Sequence, residues 1–428
     1  MAVSYPPGPM SQRARRSYGA IMVFTWDDLE RYIVKAGEKL RHTPGFLDFF
    51  RNIGETEKQR IGLLWGALRA LVNDQGEEAA IETEGLIRHM PDEEDGHGAI
   101  VIRTFAEALR ARIYKLEGSG GNLYLDARPP GAQMRAFELL RLRTPLIPFG
   151  YAAANRALLD AVPEPTDVTL LDVGIGRGGQ TRALLKNPAA RRLFKRLHVI
   201  GVEPDSSFAL GGALELAQEN VLRTAAEVGI EVTFAGIPKL GEHLEVEDIA
   251  EAEPRGLLLA NACLSLHHVG VPGQGSKVGR DDVLGVIRQA GFSRLVMVEP
   301  DSNHYDDDLA LRFLYAYRHY GTIARSLYSM LSRADASLVW SEFFAQEVRN
   351  VITHDGPRRV ERHEEVGRWV ERLTSRGWAM DTPPELVAPS AAPPGFTVES
   401  RDDACRLAFR GVSVLGVMRA KAVEGAAE

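Results

Sequence analysis

The sequence predicts an α/β fold, an open, doubly wound, mostly parallel Rossmann-like sheet under a helical cap, and three observations predict it. First, five short apolar runs, residues 167–174, 197–205, 231–237, 256–263 and 293–301, are β-branched or leucine-rich and bounded by Gly, Pro or acids. Second, helical stretches such as GGALELAQENVLRTAAEVG and RDDVLGVIRQAG lie between them. Such alternation favours parallel strands, because a right-handed crossover needs a helix to return the chain. Third, the first run ends in the turn DVGIGRGG, which holds Gly174, Gly176, Gly178 and Gly179 at the strand end where open parallel sheets take ligands.

The rest of the chain is organised around that sheet. Residues 1–20, with Arg13, Arg15 and Arg16 and no apolar signal core, read as a flexible leader. Residues 21–160 read as a helical N-terminal cap. In it Thr25 is an N-cap before WDDLERYIVKAG, and Phe105, Leu109, Ile113 and Leu116 make one helical stripe. PDEEDGHG between these helices reads as a solvated connector. The ligand-binding core spans 161–306. A second helical cap follows over 307–380, with one stripe of Phe313, Tyr317, Tyr320, Leu327 and Leu331. A second stripe holds Val366, Trp369, Val370 and Leu373, ended by Gly377. Residues 381–428 read as a Pro-rich link and two closing strands, a hairpin that completes the sheet.

Composition excludes several classes of function. With 45% hydrophobic and 25% charged residues among 428, the chain has material for a buried core. A net charge of -7 gives no global basic field for nucleic acid or an anionic membrane, and no run approaches 18 apolar residues. Cys263 and Cys405 match no metal-binding spacing and fit a reduced, cytoplasmic setting. Each helical stripe serves either a core or a dimer surface, so a homodimer stays open.

The glycine turn carries the functional reading. Glycine reaches backbone angles closed to other residues and lets a ligand approach the main chain, while the next helix offers free amides. Gly174, Gly176 and Gly179 also satisfy the dinucleotide pattern G-x-G-x-x-G, and Glu203, ending the second run, suits the ribose of NAD or of S-adenosylmethionine alike. Asp172, two residues before the first glycine, resembles the acid of the D/E-x-G-x-G-x-G motif in class I S-adenosylmethionine methyltransferases. A carboxylate favours that cofactor's ammonium and sulfonium and repels a pyrophosphate. This resemblance implies the seven-stranded methyltransferase type of sheet.

Several further stretches resemble the GRAS family: TPLIPFGYAAANRALLDA (144–161), LLLANACLSLHHVG (257–270), VMVEPDSNHYDDDLALRFLYAYRHYGTIARSL (296–327) and EVRNVITHDGPRRVERHEEVGRWVERLTSRGW (347–378). The resemblance implies a Rossmann-like methyltransferase fold with a helical cap. It also implies either a transcriptional regulator, as in the plant members, or a small-molecule methyltransferase, as in the bacterial type. The intact glycine turn favours the bacterial type with cofactor binding retained.

Candidate chemistry gathers at the same sheet edge. Asp172, Gly174, Gly176, Gly178, Glu203 and Asn261 are the expected cofactor residues, and S-adenosylmethionine the expected cofactor. Glu299 ends the fifth run, with Asn303 and His304 after it; His304 is the preferred general base, with Glu299 and His267 beside it as catalytic candidates. His267 and His268 lack a third ligand, so no metal is expected. Tyr151 and Asn155 from the first cap, Asn303 from the core, and Arg312 and Tyr315 from the second cap are the expected substrate contacts, the last two facing an acidic substrate from the polar side of their helix. Glu361-Arg362-His363-Glu364 looks like a catalytic string but is read as a helix start, its acids assigned to capping and Arg362 and His363 to structure. The expected function is S-adenosylmethionine-dependent methylation of a small molecule in a closed pocket. The alternative is a non-catalytic ligand-binding or regulatory protein on the same fold.

Overall fold

The computed structural model describes residues 26–89, 96–116, 130–204, 212–270, 278–381, 393–401 and 404–423. The arginine-bearing leader, the Thr25 cap, most of the acidic connector and most of the Pro-rich link lie outside these residues. The five apolar runs form the parallel strands β1 (Thr166–Val173), β2 (Phe194–Val202), β3 (Val232–Ile237), β4 (Leu257–Cys263) and β5 (Arg294–Pro300). Helices α1 (Ala213–Val228) and α2 (Arg280–Gln289) return the chain between strands. Along β1, Val168 and Leu170 enter one hydrophobic cluster and Leu171 and Val173 the other, the two-residue period of a strand covered on both faces.

The sheet departs from the expected seven strands. Nine are present among the described residues, in the order β3-β2-β1-β4-β5-β9-β8-β7, with short β6 (Trp378–Met380) paired to β9. The expected two-strand hairpin is instead an antiparallel meander of β7 (Phe396–Arg401), β8 (Ala404–Phe409) and β9 (Val412–Ala422). Arg410 and Gly411 both have positive φ, 49° and 78°, the backbone of a two-residue hairpin turn. An arginine in the first of these positions hid the turn inside what reads as one continuous strand.

Helices cover the sheet, and two expectations about them need correction. The stripe through Phe105 and Leu109 is buried, but its helix ends at Ile113 and Leu116 lies beyond it, exposed. Helix α3 (Leu309–Met330) has no polar, solvent-facing side: every residue from Leu309 to Ala324 is buried. It is held between β8 and β9 on one side and the helices Glu55–Val72, His97–Ile113 and Ala345–Thr353 on the other. Asp308 caps it, accepting from the amides of Ala310 (3.0 Å) and Leu311 (3.2 Å). Helix α4 (Val366–Ser375) buries Val366, Trp369 and Leu373, and Gly377 beyond it has φ 75°.

Candidate functional site

Register brings the first polar group together. Asp172 on β1 pairs with Asn261 on β4 at the end of the strands. Asp172 is buried, and its two oxygens accept from Asn261 Nδ2 (2.7 Å) and Thr181 Oγ1 (2.7 Å). Gln180 Nε2 donates to Asn261 Oδ1 (2.9 Å), and Asn155 Nδ2 donates to the Gln180 carbonyl (3.2 Å). Burial pushes the Asp172 carboxyl up, opposed by its two donors. The acid therefore faces its own network and not the space above the turn.

The glycines divide between packing and access. All three of Gly174, Gly176 and Gly178 have positive φ. A Cβ on Gly174 would fall on the Ser265 side chain, and one on Gly178 would lie 2.9 Å from Val221 Cγ2. At Gly176 it would meet nothing within 4 Å, and the Gly176 amide donates to Glu203 Oε2 at 2.9 Å. Tyr151 stands over the turn, its hydroxyl 3.3 Å from where a Gly179 Cβ would be. For S-adenosylmethionine the residues fit in part. Gly176 and Glu203 suit the adenosyl half, while the carboxylate expected for the charged half is occupied.

A second polar group lies past the ends of β4 and β5. Glu299 Oε1 accepts from the amides of Ser265 (3.3 Å) and Leu266 (2.9 Å), and its Oε2 is 2.6 Å from His267 Nδ1. Burial pushes Glu299 up to about 7 and holds His267 down at about 3, so the imidazole is neutral. On the far side of His267 stands Glu361, 3.8 Å from its Nε2, 3.6 Å from His268 Nδ1 and 3.6 Å from His363 Nε2. Glu361 and His363 are functional candidates that sequence reasoning set aside as capping and structural residues. They lie in an extended segment ahead of α4, not in its cap, since α4 begins at Val366. The available signal was the charged run from Arg359 to Glu365 itself, which is buried at every position except Val360.

His304 is fully buried, its ring 4.5 Å from that of His363 and 5.6 Å from that of His319, and burial holds it well below the usual histidine value. A cavity of about 110 Å³ adjoins the cluster, walled by His267, His319, Glu347 and His363 and by apolar side chains including Ile323 and Phe344. Asn303 lines a different, polar cavity of about 500 Å³ with Tyr305, Glu364 and Arg368. Arg312 and Tyr315 stand apart from both. The Arg312 guanidinium donates to the carbonyls of Val351 and Asp306 and to Asp355, and the Tyr315 hydroxyl to Glu365 at 2.6 Å.

An α/β sheet carrying a glycine turn, with cap helices before and after it, defines the class of protein, and comparison with known proteins sets the family. The GRAS domain family model matches residues 70–391, and the chain belongs to that family. It is similar to Scarecrow-like protein 5 of Arabidopsis thaliana, 28% identical over 74% of this chain and 54% of that protein. It is also similar to Scarecrow-like transcription factor PAT1 of Arabidopsis thaliana, 26% identical over 66% of this chain and 59% of that protein. The chain thus spans little more than half the length of these relatives. The crystal structure of SCL7 from Oryza sativa superposes with a TM-score of 0.70 at 19% identity, over 85% of this chain and 99% of that one, and shows the fold.

These findings correct the expected function. The matched relatives are plant GRAS proteins, one of them named a transcription factor, and not methyltransferases. Methyltransferase structures that superpose, such as the citrinin polyketide synthase CMeT domain at a TM-score of 0.37, are too distant to bear on activity. The narrower expectation of a bacterial type finds no support. No helix among the described residues is long and apolar enough to cross a membrane.

Proposed function

We propose that this chain is a regulatory GRAS domain that binds a small ligand and transfers no methyl group. One observation carries the reading: both oxygens of Asp172 are taken by Thr181 and Asn261, so the acid expected to hold the cationic half of a sulfonium cofactor is turned inward. The open space at Gly176, with Glu203 beside it, still supports an adenosyl ligand, recognised through its nucleoside and bound without turnover. The names of the relatives support action through partner macromolecules in addition to the ligand. The setting proposed is intracellular and away from membranes.

Calorimetric titration of the purified chain with adenosine, S-adenosylhomocysteine and S-adenosylmethionine tests this. Adenosine is expected to bind within about fivefold of the sulfonium compound, because the two share every favourable contact. Gly176→Val abolishes binding of all three. Preference for S-adenosylmethionine over adenosine by about 100-fold, or methyl transfer to any acceptor, overturns the proposal.

A further inference from the structure

We propose that His267, His268, His363 and Glu361 bind a divalent transition cation of the zinc class, with Glu347 beside them. This rests on the cluster alone and not on the regulatory reading above. Two overlapping triads define the place. Ligand atoms of His267, His268 and Glu361 lie within 4.8 Å of one another, and so do those of Glu347, Glu361 and His363. Glu361 belongs to both, so one cation at its carboxylate draws on both sets.

The separations fit a metal better than hydrogen bonds. Glu361 stands 3.6 to 3.8 Å from the three imidazole nitrogens, beyond ordinary hydrogen-bond length. Two ligands at neighbouring corners of a tetrahedral zinc, each about 2.0–2.1 Å from it, are about 3.3 Å apart, so small side-chain shifts close the shell. Glu361 is 1% exposed, and neither of its oxygens has a hydrogen-bond partner. A buried carboxylate left so is strongly unfavourable, and a cation removes the penalty.

The surroundings pre-set the ligands. Glu299 Oε2 lies 2.6 Å from His267 Nδ1, and the tautomer protonated at Nδ1 turns its Nε2 lone pair toward Glu361, the carboxylate–histidine support common behind metal sites. Asn350 Oδ1 accepts from the amides of Val360 (2.9 Å) and Glu361 (3.0 Å) and so holds the segment carrying the carboxylate. One guanidinium, Arg280, donates to the carbonyls of both His267 and Arg362, tying the two ligand-bearing stretches together. Three nitrogens with carboxylate oxygen suit zinc and its neighbours, whereas calcium and magnesium take oxygen shells.

The full chain, stripped with a chelator and dialysed, is titrated with zinc against a chromophoric competitor while its melting temperature is followed. About one zinc per chain is expected, with a dissociation constant below about 1 µM and a raised melting temperature. Glu361→Gln weakens binding by at least about 100-fold, while His319→Gln, which alters the same cavity wall outside both triads, changes it less than about threefold. X-ray absorption of the zinc-loaded wild type, which needs no variant to fold, shows nitrogen and oxygen neighbours with imidazole scattering. Uptake below about a tenth of an equivalent, unchanged binding in Glu361→Gln, or a sulfur neighbour overturns the proposal.

Discussion

At the end of β1 both oxygens of Asp172 are met by donors from β4 and the following helix. Beyond β4 and β5 the carboxylate of Glu361 is met by none. Both acids are buried and both have their protonation pushed upward by that burial. They differ in what surrounds them. Amide and hydroxyl donors face Asp172, and imidazole nitrogens at non-bonding distance face Glu361. The first arrangement is complete as protein alone, so it contributes order; the second needs something more, so it marks a site.

That contrast can be broken by substitution. The largest effect is expected at Asn261→Leu, which strips Asp172 and Gln180 of a shared partner and is expected to lower stability by about 3–5 kcal/mol in a urea titration. Next come the glycines. Gly174→Ala, with positive φ and Ser265 in the way, costs about 2–4 kcal/mol, and Gly176→Ala, strained but with open space before it, about 1–2 kcal/mol. Equal losses at the two positions would contradict the division between packing and access. Smaller and opposite in sign is Glu361→Gln in zinc-free protein, expected to raise stability by about 1–2 kcal/mol by removing an unanswered charge. A loss there would mean that the carboxylate already has a partner.

The smallest effect is a pH dependence. The folded state raises the Asp172 value above its ordinary 3.8, so it holds the proton more tightly than the unfolded chain does. The resulting stabilisation is complete below the unfolded value and is lost as pH rises through the folded one. Asp172→Asn should therefore shrink the fall in melting temperature as pH rises above about 4. An unchanged slope would show that Asp172 does not titrate there.

The parallel half of the sheet was legible because β1, β4 and β5 are buried on both faces and read as apolar runs between helices. The glycine turn was legible for the same local reason, and Glu203 meets Gly176 as the order of strands requires. The β8–β9 turn was not, because Arg410 adopts an angle usually left to glycine or asparagine. The surroundings of α3 were hidden too. A stripe of aromatic residues predicts one buried face, and nothing in it tells that a second layer of helices covers Arg312 and Arg318. Least legible was the pairing of His267 with Glu361 and His363. The two segments lie far apart in the chain and are joined by Arg280 and by the Arg362 amide, which donates to the His267 carbonyl (3.3 Å), contacts that no spacing rule encodes.

One consequence follows from where β9 sits. It lies between β5 and β8, yet it is formed by residues 412–422, after every other described strand. A ribosome must therefore release all the other described strands before the central seam of the sheet can be sewn. Until then β5 presents a bare hydrogen-bonding rim, the condition under which nascent chains seek chaperones or stray neighbours.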